Sequence, residues 1–139
     1  MVLSISIESG VLRACVAGEF ALAEAERTFL EVLDAVAQHN IGNVLFDGRK
    51  ISGEPRTVER FYYGQFAADA VSAKRGMSPA PRFAYVLTEP VLDPHRFGET
   101  VARNRGMIVR AFSNPRDALQ WLGLAVTNEP DIDNNQDFC

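Results

Sequence analysis

The chain has 139 residues, of which 47% are hydrophobic, so it is long enough for one domain with a single core and too short for two of typical size. Four of its 18 acidic residues lie in the last stretch, and the others are balanced by the 14 basic residues, which argues against binding nucleic acid through a general positive field. No apolar run approaches the roughly 20 residues that cross a bilayer, so no membrane span is predicted.

The chain opens on two runs with the alternation of β-strands. Leu3, Ile5 and Ile7 alternate with serines, and a second apolar run follows the turn-like segment 8–10. Two such runs around a glycine-containing turn predict an antiparallel hairpin. The second run carries the apolar residues Leu12, Ala14 and Val16 at every second position. This spacing predicts that the three side chains share one buried face of the sheet.

A long amphipathic helix is predicted next. Between Ala21 and about His39, apolar residues recur three or four positions apart, as expected for one buried helical face. Asn40 and Gly42 tolerate a left-handed backbone, so the helix is expected to end there.

The segment 44–60 is predicted to be the centre of the fold. Its first residues form a short apolar run, which predicts a strand that is buried on both faces, lies parallel to its neighbours and ends at Asp47. A polar loop is expected to follow. Either Pro55 in the first turn or Thr57 as the N-cap would then begin a helix that extends to Lys74.

Two further pairs of a strand and a helix complete the predicted domain. The apolar run 83–87 predicts a buried strand, after which Asp93 would cap a helix that begins at Pro94. The run 107–112 predicts the last strand, and Asn114 with the proline after it predicts a short closing helix. Residues 125–139 are polar and acidic, which predicts a disordered tail.

The predicted fold class is therefore α/β, because the order of elements is β-β-α-β-α-β-α-β-α. We expect one domain over residues 1–124, with a mixed sheet of about five strands, an N-terminal antiparallel hairpin and about four helices.

The two cysteines do not predict a structural disulfide. Cys15 lies in a predicted strand and Cys139 is the last residue, so a bond between them would require the tail to fold back across the sheet. Free thiols are expected. Because the N-terminus also lacks the pattern of a secretion signal, a cytoplasmic location is predicted.

Charged side chains follow two neighbouring predicted strands. Those after the first strand are Asp47, Arg49, Lys50, Arg56 and Arg60, and those after the second are His95 and Arg96. Because the carboxyl ends of parallel strands meet at one edge of a sheet, these side chains would lie near two helix N-termini. The combination would suit a phosphate, sulfate or carboxylate group. The alternative is that they are solvated surface charges, and that Asp47 has a structural role through backbone contacts.

The usual signatures of catalysis are absent from the sequence. It contains no G-x-S-x-G, Walker or dinucleotide-binding motif, and its two histidines have no carboxylate at metal-ligand spacing. No metal site and no cofactor are predicted. A small enzyme that uses Asp47 or His95 as acid or base beside an arginine-lined anion site is the alternative hypothesis.

Tyr62 and Tyr63 are neighbours in the predicted helix after the central strand, so their side chains must point in different directions. One of them is expected to face outward, where it would contribute to a homodimer interface or line an apolar pocket. The alternative is a partly buried tyrosine whose hydroxyl group lies in water.

The whole pattern resembles the STAS-type, SpoIIAA-like domain family, which is related to bacterial anti-sigma-factor antagonists and to the cytoplasmic domains of sulfate transporters. The matching features are the opening hairpin, the VLFD strand with its loop and helix, the FAYVL strand, and the IVRAF strand followed by DALQWL. The last feature is common in a stand-alone bacterial branch of SpoIIAA-like proteins. The resemblance extends from about Leu3 to Leu122.

The resemblance implies a non-catalytic binding or regulatory domain. Such a domain would engage a protein partner, or a small anionic or lipidic ligand, through the loop and helix after the central strand. In the antagonist branch of the family, a partner kinase phosphorylates a serine or threonine in a D-S-S-G-like motif after that strand. The motif is missing here, so Thr57 is a candidate phospho-acceptor by position and Ser52 is the second.

Overall fold

The computed structural model describes residues 1–74, 77 and 79–124, so the tail predicted for residues 125–139 lies outside the described residues. The described chain contains nine elements in the predicted order: β1 (Val2–Glu8), β2 (Val11–Glu19), α1 (Leu22–His39), β3 (Asn43–Ser52), α2 (Thr57–Ala73), β4 (Arg82–Val86), α3 (Phe97–Asn104), β5 (Val109–Phe112) and α4 (Pro115–Trp121).

The strands form one five-stranded sheet in which neighbours in sequence are also neighbours in space, in the order β1-β2-β3-β4-β5. β1 and β2 are antiparallel, and the other three pairs are parallel. Parallel neighbours need a crossover connection, and α1, α2 and α3 supply one each. The structure therefore confirms the predicted mixed sheet with an N-terminal hairpin and a central β3.

Two apolar clusters lie on opposite faces of the sheet. The larger one joins α1, α2 and α3 to one face and contains Phe29, Val44 and Phe46. The smaller one joins α4 to the other face and contains Leu45 and Leu122. Because alternate residues of β3 belong to different clusters, this strand is buried on both faces, as its continuous apolar run predicts.

Two helix boundaries follow directly from the local sequence. Asn40 has a left-handed backbone with φ 54° and donates its N–H to the carbonyl of Val36, which ends α1. The side chain of Asn114 accepts the N–H of Asp117 at 2.9 Å, which caps the start of α4. Both boundaries agree with the sequence predictions.

The end of β3 differs from the prediction. The strand does not stop at Asp47 but extends to Ser52, so Arg49 and Lys50 lie in a strand rather than in a loop. The physical reason is a β-bulge: β2 pairs with β3 at Asp47 and again at Lys50, which leaves two residues of β3 opposite the single Val16 of β2. Beyond the bulge, β3 pairs with β2 as far as Ser52, whereas its pairing with β4 ends at Asp47.

The starts of α2 and α3 also differ from the prediction. Thr57 is the first residue of α2, and Arg56, rather than Thr57, is its N-cap. The side chain of Asp93 does accept backbone N–H groups, as expected of a cap, but α3 begins at Phe97 rather than at Pro94. Arg96 has a left-handed backbone with φ 53°, which interrupts the helical conformation before Phe97.

Cys15 is disulfide-bonded, so the expectation of a free thiol at this residue is wrong. The expectation for Cys139 lies outside the described residues. Within the described part of the chain, no helix is long and apolar enough to cross a membrane.

Candidate functional site

Asp47, the first of the residues predicted to bind a ligand, is 5% exposed and forms a bidentate ion pair with Arg49. Its two carboxylate oxygens accept from the Nε and Nη2 atoms of Arg49 at 2.9 and 2.7 Å. The same carboxylate accepts the backbone N–H of Arg49 at 3.2 Å. Since Arg49 belongs to the bulge, Asp47 stabilises the irregular backbone at this point, which is a structural role.

The segment that leads into α2 is open to solvent. Ser52, Arg56 and Thr57 are exposed, as is Lys50 before them. Glu59 accepts the backbone N–H of Arg56 at 2.9 Å and its guanidinium Nε at 3.2 Å. These two bonds lower the pKa of the Glu59 carboxyl, with the backbone bond contributing more. The two candidate phospho-acceptors, Ser52 and Thr57, are therefore accessible at the beginning of a capped helix.

Four apolar side chains of α2 and α3 form a partly exposed cluster, which we call the aromatic patch: Val58, Phe61, Tyr62 and Phe97. Val58 and Tyr62 share one face of α2 because they are four residues apart, and they are 45% and 49% exposed. The ring of Phe61 lies 5.5 Å from that of Tyr62 and 6.5 Å from that of Phe97 between centroids. Phe97 itself is 37% exposed. Tyr62 is thus the outward-facing member of the tyrosine pair.

A cavity of about 160 Å³ lies on the other side of α2, between the sheet and helices α1, α2 and α3. Its wall is mostly apolar. Phe46, Gly48 and Ile51 of β3 all line it, whereas Asp47 and Arg49 do not. The bulge explains this spacing, because one extra residue after Gly48 reverses the alternation and turns Ile51, rather than Lys50, toward the cavity.

Tyr63 and Tyr85 line the cavity and hydrogen-bond to each other, with 2.6 Å between their hydroxyl oxygens. The ring of Tyr85 stacks on Phe46 at 4.5 Å, and the ring of Tyr63 meets Phe29 edge-on at 6.2 Å. Burial raises the pKa of both hydroxyls, and that of Tyr85 lies well above its ordinary value. Both side chains are therefore neutral over the physiological pH range.

Arg60 fastens the loop after β4 over the cavity. It extends from α2 and donates from Nη1 to the carbonyl of Val91 at 2.8 Å and from Nη2 to the carbonyl of Pro90 at 2.7 Å. Val91 is a member of the cavity wall. Nη1 and Nη2 of Arg60 therefore donate to backbone carbonyls of the protein, and these two donors are not available to an anion.

Arg96 is engaged in a similar way at the end of β5. It donates to the carbonyl of Ala111 and pairs with Glu99 at 3.2 Å. Glu99 in turn accepts the N–H of Ala111 at 2.6 Å. The three residues all line the cavity, where they join α3 to the sheet edge.

The predicted charged residues are thus divided among three places. Asp47 and Arg49 lie on the α4 side of the sheet, Arg60 and Arg96 line the cavity on the other side, and His95 is exposed in the turn before α3. The acid–base hypothesis needs Asp47 and His95 to meet on one concave surface, and the contacts of the described residues do not bring them together. Among the same residues, no group of three or more His, Cys, Asp or Glu side chains is placed to hold a metal ion.

Sequence reasoning did not identify Tyr85, Gly64 or Gly98 as parts of a site. Tyr85 stands in the apolar strand 82–86, and its polar hydroxyl in an otherwise buried run was the available signal. Gly64 lies in the middle of α2, where glycine costs free energy relative to alanine unless another backbone approaches closely. That approach is made by Gly98 of α3, and both glycines line the cavity.

The chain is similar in structure to an anti-sigma factor antagonist from Mycobacterium paratuberculosis, known from its crystal structure. The TM-score is 0.60 at 14% sequence identity, and the match covers 88% of this chain and 93% of that one. No protein-family model and no curated protein matches the chain. The structural similarity confirms the predicted STAS-type, SpoIIAA-like fold.

Proposed function

We propose that the chain is a non-catalytic regulatory domain that binds a protein partner through the aromatic patch and the exposed start of α2. The aromatic patch is the observation that carries the proposal. Tyr62 and Val58 keep nearly half of their surface in water, and the ring of Phe61 connects that of Tyr62 to that of Phe97. Contiguous apolar side chains with a polar rim are typical of protein interaction sites, and tyrosine is enriched among the residues that dominate such interfaces.

The structural neighbour supports a regulatory role, since it is described as an anti-sigma factor antagonist. The proposal places regulation at Ser52 or Thr57, which are exposed beside the patch-bearing helix. A phosphate on Thr57 would lie at the N-terminus of α2, where the helix dipole favours negative charge. It would also place about two negative charges one residue from Val58, which would change binding at the patch. Mass spectrometry of protein purified from its host tests whether either residue carries phosphate.

Replacement of Tyr62 by glutamate is expected to weaken partner binding more than about tenfold, since removal of a central interface aromatic costs roughly 2 kcal/mol or more. The measurement is affinity purification from the host organism with quantitative mass spectrometry, followed by an affinity measurement with the purified partner. Leu30→Glu is the matched control, because Leu30 is 43% exposed on α1 and lies outside the patch. Both variants should retain the wild-type melting temperature.

A partner that is retained by the wild type and by Leu30→Glu but lost by Tyr62→Glu supports the proposed surface. Equal retention by all three proteins contradicts it. A second copy of the chain is the other occupant that the patch would suit, and it would appear as a dimeric mass in solution that Tyr62→Glu converts to the monomeric mass.

A further inference from the structure

The cavity between the sheet and helices α1, α2 and α3 has the size of a small-molecule site. Its volume is about 160 Å³, and aliphatic and aromatic side chains make up most of its wall. An engineered apolar cavity of about 150 Å³ binds benzene, so this cavity matches a single ring or an aliphatic group of similar size.

The tyrosine pair supplies one hydrogen-bond donor to the cavity. Two hydroxyl groups carry two protons, and the bond between Tyr63 and Tyr85 uses one of them. Among the described residues, neither hydroxyl has another protein partner. Among the described residues, one O–H of the pair therefore has no acceptor, and an oxygen or nitrogen acceptor on a ligand would pair with it.

The charged members of the wall argue for a neutral ligand. Arg60 donates to the carbonyls of Pro90 and Val91, and Arg96 donates to the carbonyl of Ala111 and to Glu99. An anionic ligand would have to compete with these contacts, or remain partly unpaired in an apolar space.

We infer that the cavity is a binding site for a neutral, single-ring molecule that carries one hydrogen-bond acceptor, which the Tyr63–Tyr85 hydroxyl pair recognises. This site is separate from the aromatic patch, because Tyr63 faces the sheet while Tyr62, its neighbour on α2, is exposed to solvent. Loss of ligand binding therefore leaves the proposed partner-binding surface intact, and the two proposals are tested independently.

The test compares phenol with toluene, two single-ring probes of nearly equal size, of which only phenol has an acceptor. Binding is measured by titration of the full chain, followed through its backbone amide signals in NMR spectra. In the variant Tyr63→Phe/Tyr85→Phe both hydroxyls are absent while the rings remain. We expect the ratio of phenol to toluene affinity to fall by about three- to tenfold in this variant, the contribution of one hydrogen bond.

A cavity-filling variant shows where the probes bind. Ala67 of α2 is buried and lines the cavity, so Ala67→Leu should abolish the binding of both probes. The matched control is Ala23→Leu at an exposed position of α1, which should leave both affinities unchanged. The amide spectrum of each variant also reports whether it is folded.

Failure of the wild type to bind either probe would overturn the inference. An unchanged ratio of affinities in the doubly substituted variant would also overturn it, because the hydroxyl pair would then have no part in recognition. The comparison of affinity ratios uses only the wild type and Tyr63→Phe/Tyr85→Phe, so it does not depend on whether Ala67→Leu folds.

Discussion

Replacement of Gly64 by alanine is expected to lower the free energy of unfolding by about 2 kcal/mol, although alanine is the better helix former. A Cβ atom at Gly64 would lie 2.5 Å from the carbonyl oxygen of Gly98, and that oxygen belongs to backbone that cannot rotate away. Overpacking of this kind costs up to about 3 kcal/mol, against a gain in helix propensity of about 1 kcal/mol. The two helices would have to move apart.

Gly42→Ala is the control for this experiment. No atom lies within 4 Å of a Cβ placed at Gly42, so its stability should stay within about 0.5 kcal/mol of wild type. Denaturant unfolding of the two variants gives the comparison directly. If Gly64→Ala is as stable as the wild type, then α2 and α3 are not packed at this distance and the described cavity wall is incorrect.

The second large effect is expected from the partly buried, hydrogen-bonded tyrosine pair. Tyr63→Phe alone leaves the Tyr85 hydroxyl without its partner and should cost about 1–3 kcal/mol, as should Tyr85→Phe. The double substitution removes both polar groups and should cost much less than the sum of the single ones. Denaturant unfolding of the four proteins measures this coupling, and simple additivity would contradict the hydrogen bond.

The same pair predicts a loss of stability at high pH. The pKa of both hydroxyls is raised in the folded protein, mainly by burial, whereas an unfolded tyrosine has a pKa of about 10. Above about pH 10 the unfolded state therefore releases protons that the folded state retains, so the pair contributes its full stability below that pH and loses it as the pH rises. The loss is about 1.4 kcal/mol per pH unit for each tyrosine.

The variant Tyr63→Phe/Tyr85→Phe separates this effect from other titrating groups, because its lysines and its other tyrosine are unchanged. Between about pH 9 and pH 11, the wild type should lose up to about 2–3 kcal/mol more stability than the variant. Urea unfolding at each pH provides the measurement. Parallel losses in the two proteins would mean that neither hydroxyl is buried as described.

Most of the architecture could be predicted from the sequence. The continuous apolar run of β3 predicted a central strand with two buried faces, and the spacing in α1 predicted its length to within a residue. Asn40 and Asn114 marked helix ends because their effects act on the backbone within a few residues. The predicted contrast between Tyr62 and Tyr63 also holds, since neighbouring residues of a helix cannot point the same way.

The arrangement of the site could not be predicted in the same way. The charged residues after β3 and β4 were expected to gather at one edge, but Asp47 lies on one face of the sheet while Arg60 and Arg96 line a cavity on the other. The bulge opposite Val16 arises from pairing between two strands, so nothing in the local pattern of β3 announces it.

The sequence by itself therefore determined the order of the elements, the central place of β3 and the exposure of the segment before α2. Each of these depends on periodicity or capping among residues close together in the chain. Only the tertiary structure decided which side chains share a site. The bulge in β3, the contact of Gly64 with Gly98, and the bond between Tyr63 and Tyr85 all join residues from different elements, and their geometry is set by how those elements pack.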